Sequence, residues 1–254
     1  MAYSQFLTVA LEAVKAAESV INQYYTPQTR ATLKPDQSPV TIADQEAELI
    51  IRSHVLEYFP NHAILGEESG QSSTDSEYLW IIDPIDGTKN YIRQIPLFAT
   101  QLALMKDGEV IVGVSNAPAM QELLYAQKGQ GAFLNDQPVH VSTVDRLNEA
   151  FLSYGSLTCF QKRNALDALL QLENATRGHR GFGDAWAYHL LAQGKVDVVV
   201  ESAIKIWDVA AASLIVQEAG GQVTDLRGQP LTLATTSLIA TNQSLHPVVQ
   251  EIFS

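Results

Sequence analysis

The sequence predicts an α+β front half joined, without a flexible linker, to an α/β back half, and three features carry that prediction. Two helical periods come first, a series of short strands with tight turns follows, and strands and helices alternate after about residue 145. A chain of 254 residues is long enough to bury the core this needs as two intimate lobes, 1–145 and 146–254.

Phe6, Leu7, Ala10, Leu11, Val14, Ala17, Ile21 and Tyr24 recur at helical spacing, which predicts an amphipathic helix over 4–24, closed by Pro27. The polar stretch 34–39 holds Pro35 and Pro39 and reads as irregular. Thr41-Ile42-Ala43-Asp44 has the form of a capping box, opening a second helix that runs to Phe59 before Pro60. Leu79-Trp80-Ile81-Ile82 is short and wholly apolar and stops abruptly on Asp83-Pro84, as a buried strand does. Antiparallel strands follow from Phe98 to Ser142, turning at Lys106-Asp107-Gly108, Lys128-Gly129-Gln130-Gly131 and Asn135-Asp136-Gln137-Pro138. Behind them come a strand over 150–154, helices over 159–172 and 184–193, and a strand over 196–200. A helix over 207–219 is stopped by Gly220-Gly221, and strands over 222–226 and 238–241 precede a last short helix. No internal repeat or low-complexity segment occurs.

Charge excludes several classes of function. Sixteen Lys and Arg against 28 Asp and Glu give −12, with no basic stripe, so neither nucleic acid nor an anionic membrane surface is expected as a partner. An anionic substrate would need some other attraction. The single cysteine, Cys159, forms no internal disulfide or thiolate zinc cluster and reads as a small buried hydrophobe. The six histidines show no metal spacing. The first residues lack the basic region of a signal peptide, Glu12, Lys15 and Glu18 interrupt the apolar stretch behind them, and no run of 18 apolar residues exists. A soluble cytoplasmic protein is expected.

Asp83-Pro84-Ile85-Asp86-Gly87-Thr88 is the most informative segment. A turn at Pro84 would aim Asp86 and the Ile85 carbonyl back toward Asp83, giving the hard oxygen set that suits Mg²⁺. Gly87-Thr88 would then open a helix whose free N–H groups bind phosphate. Taken alone, the segment also fits an Asp-capped turn. Gly66-Glu67-Glu68-Ser69 adds two adjacent carboxylates, which equally suit a solvated loop; Asp44 equally suits its capping box, and Asp208 the start of its helix. Residues 70–77, rich in Ser and Gln, read as a loop beside the site. Together, Asp44, Glu67, Asp83, Asp86 and Asp208 are five carboxylates without a histidine or cysteine companion, which disfavours zinc and favours a two- or three-Mg²⁺ cluster.

The blocks Lys34-x-Asp36-x-Ser38-Pro39-Val40-Thr41-x-Ala43-Asp44, Gly66-Glu67-Glu68-Ser69, 83–88 and Trp207-Asp208-Val209-Ala210-Ala211 stand in one order and spacing. In these the chain resembles the inositol monophosphatase family of Mg²⁺-dependent, Li⁺-sensitive phosphatases over essentially its whole length. The resemblance implies a layered αβαβα sandwich of the inositol monophosphatase and fructose-bisphosphatase type, usually a homodimer, with most metal ligands in the front lobe. It implies that Glu67, Asp83 and the Ile85 carbonyl bind a first metal, Asp83, Asp86 and Asp208 a second, and Glu67 a weaker third. It further implies that Thr88 and Glu67 orient and deprotonate the attacking water, that Asp44 assists Thr88, and that Gly87 and Thr88 cradle the phosphate. The metals would invert the local field, so that an acidic protein binds a small phosphate monoester.

Two segments are similar to the histidinol-phosphatase branch. In Thr88-Lys89-Asn90-Tyr91, Lys89 replaces the second threonine usual in inositol enzymes, although the bisphosphate nucleotidases share that lysine. In Gly183-Asp184-Ala185-Trp186-Ala187-Tyr188, Asp184 replaces a threonine, and Ala185 stands where a larger residue or cysteine is usual. An added carboxylate has little use against a neutral polyol, whereas Asp184 and Glu201 could hold the ammonium of histidinol phosphate; Asp184 also fits a helix cap. The expected activity is therefore hydrolysis of L-histidinol phosphate. The alternatives are a broad inositol-1-phosphate phosphatase and a regulatory relative that binds a partner. Trp186 and Tyr188 read as packing residues, and His189 as a core or surface residue, with lining a pocket as the alternative.

Overall fold

The structure, a computed structural model, describes residues 4–72 and 75–254. In chain order the helices are α1 (Gln5–Tyr24), α2 (Ile42–Tyr58), α3 (Thr88–Tyr91), α4 (Leu157–Lys162), α5 (Leu166–Ala175), α6 (Asp184–Ala192), α7 (Ile206–Glu218) and α8 (His246–Ile252). The first ten strands are β1 (Ala31–Leu33), β2 (Pro39–Thr41), β3 (Ala63–Gly66), β4 (Gly70–Gln71), β5 (Tyr78–Asp86), β6 (Ala99–Lys106), β7 (Glu109–Ala117), β8 (Glu122–Gln127), β9 (Ala132–Leu134) and β10 (Gln137–Val139). The remaining five are β11 (Phe151–Tyr154), β12 (Gly178–Arg180), β13 (Val198–Ser202), β14 (Gly221–Thr224) and β15 (Ser237–Asn242).

Strands β10-β9-β8-β7-β6-β5-β3-β4 make one large sheet, antiparallel except for the β3–β5 pair, and β12-β11-β13-β15-β14 make a second, mixed sheet. Alternation of side chains along the strands sorts the large sheet into two faces. Trp80, Ile82, Leu102, Leu104, Val112 and Val114 pack against α1 and α2. Ile81, Ala103 and Met105 face α6 and α7 on the other side, where Val199, Leu238 and Ala240 of the second sheet close the layer. The far face of the second sheet, with Leu152, Val198, Val200 and Ile239, is covered by α4, α5 and α8. Five layers result, helix–sheet–helix–sheet–helix. Contact in the middle is close: a Cβ on Gly113 would stand 2.6 Å from the Ala211 carbonyl oxygen of α7, so only glycine fits there.

Several elements differ from the sequence expectations. The stretch 34–39 is the tip of a small hairpin, with Pro39 opening β2 at an edge where its missing N–H costs nothing. The expected helix over 159–172 is two helices, because Asn164 adopts a left-handed φ of 57°. Cys159 lies on the short α4 and is half-buried rather than buried. Of the expected loop 70–77, residues 70–71 form β4, and 73–74 lie outside the described residues. No helix among the described residues is long and apolar enough to cross a membrane.

Candidate active site

Strand β5 brings the first carboxylates into the middle of the molecule. Asp83 follows Ile81 in the period of two, so it faces the α6–α7 layer rather than α1 and α2. The chain does not turn at Pro84 as expected. It stays extended to Asp86 and carries a bulge, since Asp83 pairs with Gln101 and Asp86 with Ala99. Pro84 has no N–H for the ladder, while its carbonyl accepts the Thr100 hydroxyl (2.9 Å), and Asp83 Oδ1 accepts the Ile85 N–H (3.0 Å). The extra residue therefore does what the expected turn was to do, and both Asp83 and Asp86 reach one cleft. Gly87 then takes a left-handed φ of 88° and starts α3.

Four further elements complete the cleft, which has a volume of about 210 Å³ and is lined by Ser38, Pro39, Glu67, Asp83, Ile85, Asp86, Gly87, Thr88, Lys89, Asp184 and Asp208. A larger recess of about 540 Å³ near α4, α5 and α8 has one acidic side chain in its lining, Asp225, and that carboxylate is occupied by the N–H groups of Arg227 and Gln229. Asp44 caps α2 as expected, accepting the Thr41 N–H (2.7 Å) and hydroxyl (2.6 Å), and its other oxygen lies 3.3 Å from the Thr88 hydroxyl. The same hydroxyl stands 3.0 Å from the Ile85 carbonyl, so its one proton serves either acceptor. The Glu67-Glu68 turn rests on Glu48, a buried residue the sequence reading missed, whose carboxylate accepts the N–H groups of Glu68 (2.8 Å) and Ser69 (3.0 Å). Its signal was an acid one turn after Asp44 on the face that carries Ala43, Ala47 and Ile51. Lys34, in the hairpin tip, places its ammonium 2.7 Å from both Glu67 and Glu68.

Asp208, in the first turn of α7, accepts the Lys205 N–H (2.7 Å), so its helix-start role and its place in the cleft coincide. Asp184 reaches the cleft from the start of α6, exposed at the mouth, with the Asn90 amide 3.3 Å from its carboxylate. It makes no side-chain cap to its own helix, against one of its two sequence readings. Glu201 does not line the cleft. It is buried behind the Gly183 turn, where a Cβ on Gly155 would collide with its carboxylate and one on Gly183 would come within 3.7 Å. His189 lies outside the cleft too, buried against the large sheet.

Electrostatics mark the cleft as a place of concentrated negative charge. Burial first, then repulsion from Glu67, Asp86 and Asp208, pushes the Asp83 carboxyl well above the ordinary value. Asp86 is raised by burial and by Asp184, Asp208, Glu67 and Glu201. Asp208 is raised to about 7 and Asp44 to about 6, both chiefly by burial. Burial works against the charge of Lys34, but its bonds to Glu67 and Glu68 outweigh this and hold its pKa above the ordinary lysine value.

The donor set fits a hard divalent cation. Asp86 Oδ2 is buried with no hydrogen-bond partner among the described residues, five of the eleven lining residues are carboxylates, and no imidazole or thiol joins them. As the side chains stand, no three acidic, imidazole or thiol groups among the described residues are drawn together closely enough to grip an ion. Glu67 gives one oxygen to Lys34, Asp208 one to the Lys205 N–H and Asp83 one to the Ile85 N–H, which leaves the second oxygen of each as a candidate metal ligand.

Comparison with known proteins gives the family. A profile of the inositol monophosphatase family matches residues 2–254. A histidinol-phosphatase of Streptomyces coelicolor is 41% identical, covering 78% of this chain and 77% of that protein. An inositol-1-monophosphatase of Rhizobium meliloti is 34% identical across 99% of this chain and 97% of its own length. The crystal structure of the extragenic suppressor protein suhB from Bartonella henselae superposes with a TM-score of 0.92 at 32% identity, covering 99% of each chain. The two enzyme names denote phosphoric monoester hydrolases, and the family uses divalent Mg²⁺. A match over the whole chain, in sequence and in layer order alike, means that this phosphoric monoester hydrolase belongs to the inositol monophosphatase family.

Proposed function

We propose that the chain hydrolyses L-histidinol phosphate to L-histidinol and inorganic phosphate. The observation that carries this reading is the Asp184 carboxylate, exposed at the cleft mouth, free of helix-capping duty and backed by the buried Glu201. A carboxylate at the alcohol end of a phosphate ester offers an ammonium group an ion pair as well as a hydrogen bond, whereas a neutral polyol gains the hydrogen bond alone. The relative from Streptomyces coelicolor supports the same substrate.

In this reading Glu67, Asp83, Asp86, Asp208 and the Ile85 carbonyl hold two or three Mg²⁺ ions. When bound, Mg²⁺ supplies positive charge against the phosphate and makes a water acidic enough to attack. The chain's own groups do the rest. The Thr88 hydroxyl donates to Asp44 and accepts a hydrogen from the attacking water, fixing one of the oxygen's lone pairs toward phosphorus. Glu67 takes the proton that the water loses. The N–H groups of Gly87 and Thr88 cradle phosphate oxygens at the left-handed turn into α3. The new P–O bond forms to the water oxygen as the bond to the histidinol oxygen breaks on the opposite side; the leaving oxygen takes a proton from a solvent water, and Glu67 returns its own proton to solvent. Asp184 holds the ammonium, and Glu201 deepens the negative field from behind. From the family resemblance we also infer a cytoplasmic homodimer inhibited by Li⁺, which light scattering and a Li⁺ titration of the activity would check.

One observation favours a broad inositol-1-phosphate phosphatase instead: Glu201 does not line the cleft, which leaves a single carboxylate at its mouth. The experiment that separates the two is phosphate release from L-histidinol phosphate and inositol-1-phosphate, with Mg²⁺ and then with EDTA, for the wild type and Asp184→Thr. We expect EDTA to abolish both reactions, and histidinol phosphate to be preferred by about tenfold or more, a preference that Asp184→Thr erases. Equal rates, or a preference for the inositol ester, would sink the substrate assignment while leaving the phosphatase intact.

A further inference from the structure

The second turn of α6 holds a buried polar array that the hydrolytic reaction does not use. His189 is 1% exposed, and its ring is fixed from both sides, with Nε2 2.7 Å from the Ser115 hydroxyl on β7 and Nδ1 3.0 Å from Glu122 Oε2 at the start of β8. An ionised carboxylate only accepts, so Nδ1 donates to Glu122, and in the neutral imidazole Nε2 then accepts the Ser115 hydroxyl hydrogen. Trp186, one turn back, stacks on the ring at 5.6 Å. Gln193, just past the helix end, donates both to Glu122 (3.3 Å) and to the His189 carbonyl (2.9 Å). Glu122 thus grips the C-terminal half of α6 at two points.

The other end of α6 is the one that needs holding. Gly183 and Asp184 enter the helix with φ of 59° and 48°, and a left-handed φ at the non-glycine Asp184 persists only where the surroundings impose it. The anchor is also tied to the site through the sheet. Ser115 stands opposite Gln101, and Gln101 opposite Asp83, so the three side chains form one row on the face that meets α6 and α7. The row that carries Asp83 therefore also fixes, through His189, the helix that carries Asp184.

We propose that His189 is a positioning residue for substrate selection. Clamped between Ser115 and Glu122, it fixes the rotation and height of α6 and so sets where Asp184 presents its carboxylate. This rests on the reading of Asp184 as the group that faces an ammonium. Loosening the clamp misplaces Asp184, while the strand pairing and bulge of β5 that place Asp83 and Asp86 do not depend on it.

The test is a KM-against-kcat comparison on two phosphate esters, one with an ammonium (L-histidinol phosphate) and one without (inositol-1-phosphate). For His189→Leu, which keeps the bulk under Trp186, we expect KM for the ammonium ester to rise about tenfold, with kcat and both constants for the neutral ester held within about twofold. Added to Asp184→Asn, His189→Leu should raise that KM no further, because the two act through one contact. If Asp184→Asn changes the preference between the esters and His189→Leu does not, the positioning role is overturned and the substrate reading stands. If Asp184→Asn itself leaves the preference unchanged, the substrate reading is what fails. Should His189→Leu not fold, Glu122→Ala and Ser115→Ala decide. Each releases one side of the ring, and a KM for the ammonium ester within about twofold of wild type in both would overturn the proposal.

Discussion

Two regions meet in the cleft and are built in opposite ways. The segment from Asp83 to Thr88 runs along the end of β5, paired there with β6, and through Gly87 into α3, and its bulge is pinned by Thr100 and by the Ile85 N–H. The segment carrying Asp184 enters a nine-residue helix by two left-handed residues and is held at a distance by side chains of the large sheet. The first is fixed by backbone pairing, and the second by side chains that reach its helix from another element. Groups that must meet a reacting phosphorus tolerate little displacement, so they belong on the rigid element, while a group that chooses between alcohols can sit on one more easily altered.

The largest expected effect tests the rigid half. Asp86→Asn removes a charge that faces Asp184, Asp208, Glu67 and Glu201, and its Oδ2 has no other partner. We expect kcat/KM to fall about 10³-fold for both esters. In EDTA the thermal midpoint of this variant should be no lower than that of wild type, since one member of a mutually repelling buried set is gone. A loss confined to the ammonium ester would break the comparison, because it would move Asp86 from the machinery of hydrolysis to that of selection.

Thr88→Ala comes next. The hydroxyl lies within reach of Asp44 and of the Ile85 carbonyl, and its loss should lower kcat about 10²-fold with little change in KM for either ester. Thr88→Ser keeps the hydroxyl and should recover most of the rate. A serine variant as slow as the alanine one would mean that the methyl group, not the hydroxyl, is what the site requires.

The same division explains what could be read from the sequence. Asp83, Asp86, Glu67, Asp44 and Asp208 were legible because each stands in a short local pattern: a strand end, a paired turn, a capping box, a first helical turn. The expected turn at Pro84 and the observed bulge aim the same residue, Asp86, into the cleft. Glu48 was not singled out, because its job is to hold backbone about twenty residues away. The depth of Glu201 depends on two glycines from other elements lying against it. The tether of α6 joins positions 67 and 74 residues apart, and nothing local to His189 announces either partner. Local chemistry writes itself into neighbouring residues, whereas long-range support is visible only once the sheet is assembled.

The smallest effect comes from a group in neither region. His246 is buried at the start of α8, with Nε2 3.0 Å from the Thr224 hydroxyl and Nδ1 3.0 Å from that of Thr241, and burial holds its pKa below the ordinary histidine value. The unfolded chain takes up a proton at this histidine near pH ~6.5, while the folded chain does so only at lower pH, so acidification from there downward favours unfolding. The stability it contributes is present above that pH and is lost as pH falls toward the folded pKa. We expect wild type to lose more thermal midpoint than His246→Gln on going from about pH 7.5 to 5.5, by roughly 2–4 °C, the shift that about 1 kcal/mol makes in a chain of this size. Identical slopes would remove His246 from the account. A change in the preference between the two esters would do more, because it would mean that the second sheet reaches Asp184 by a route other than the His189 tether.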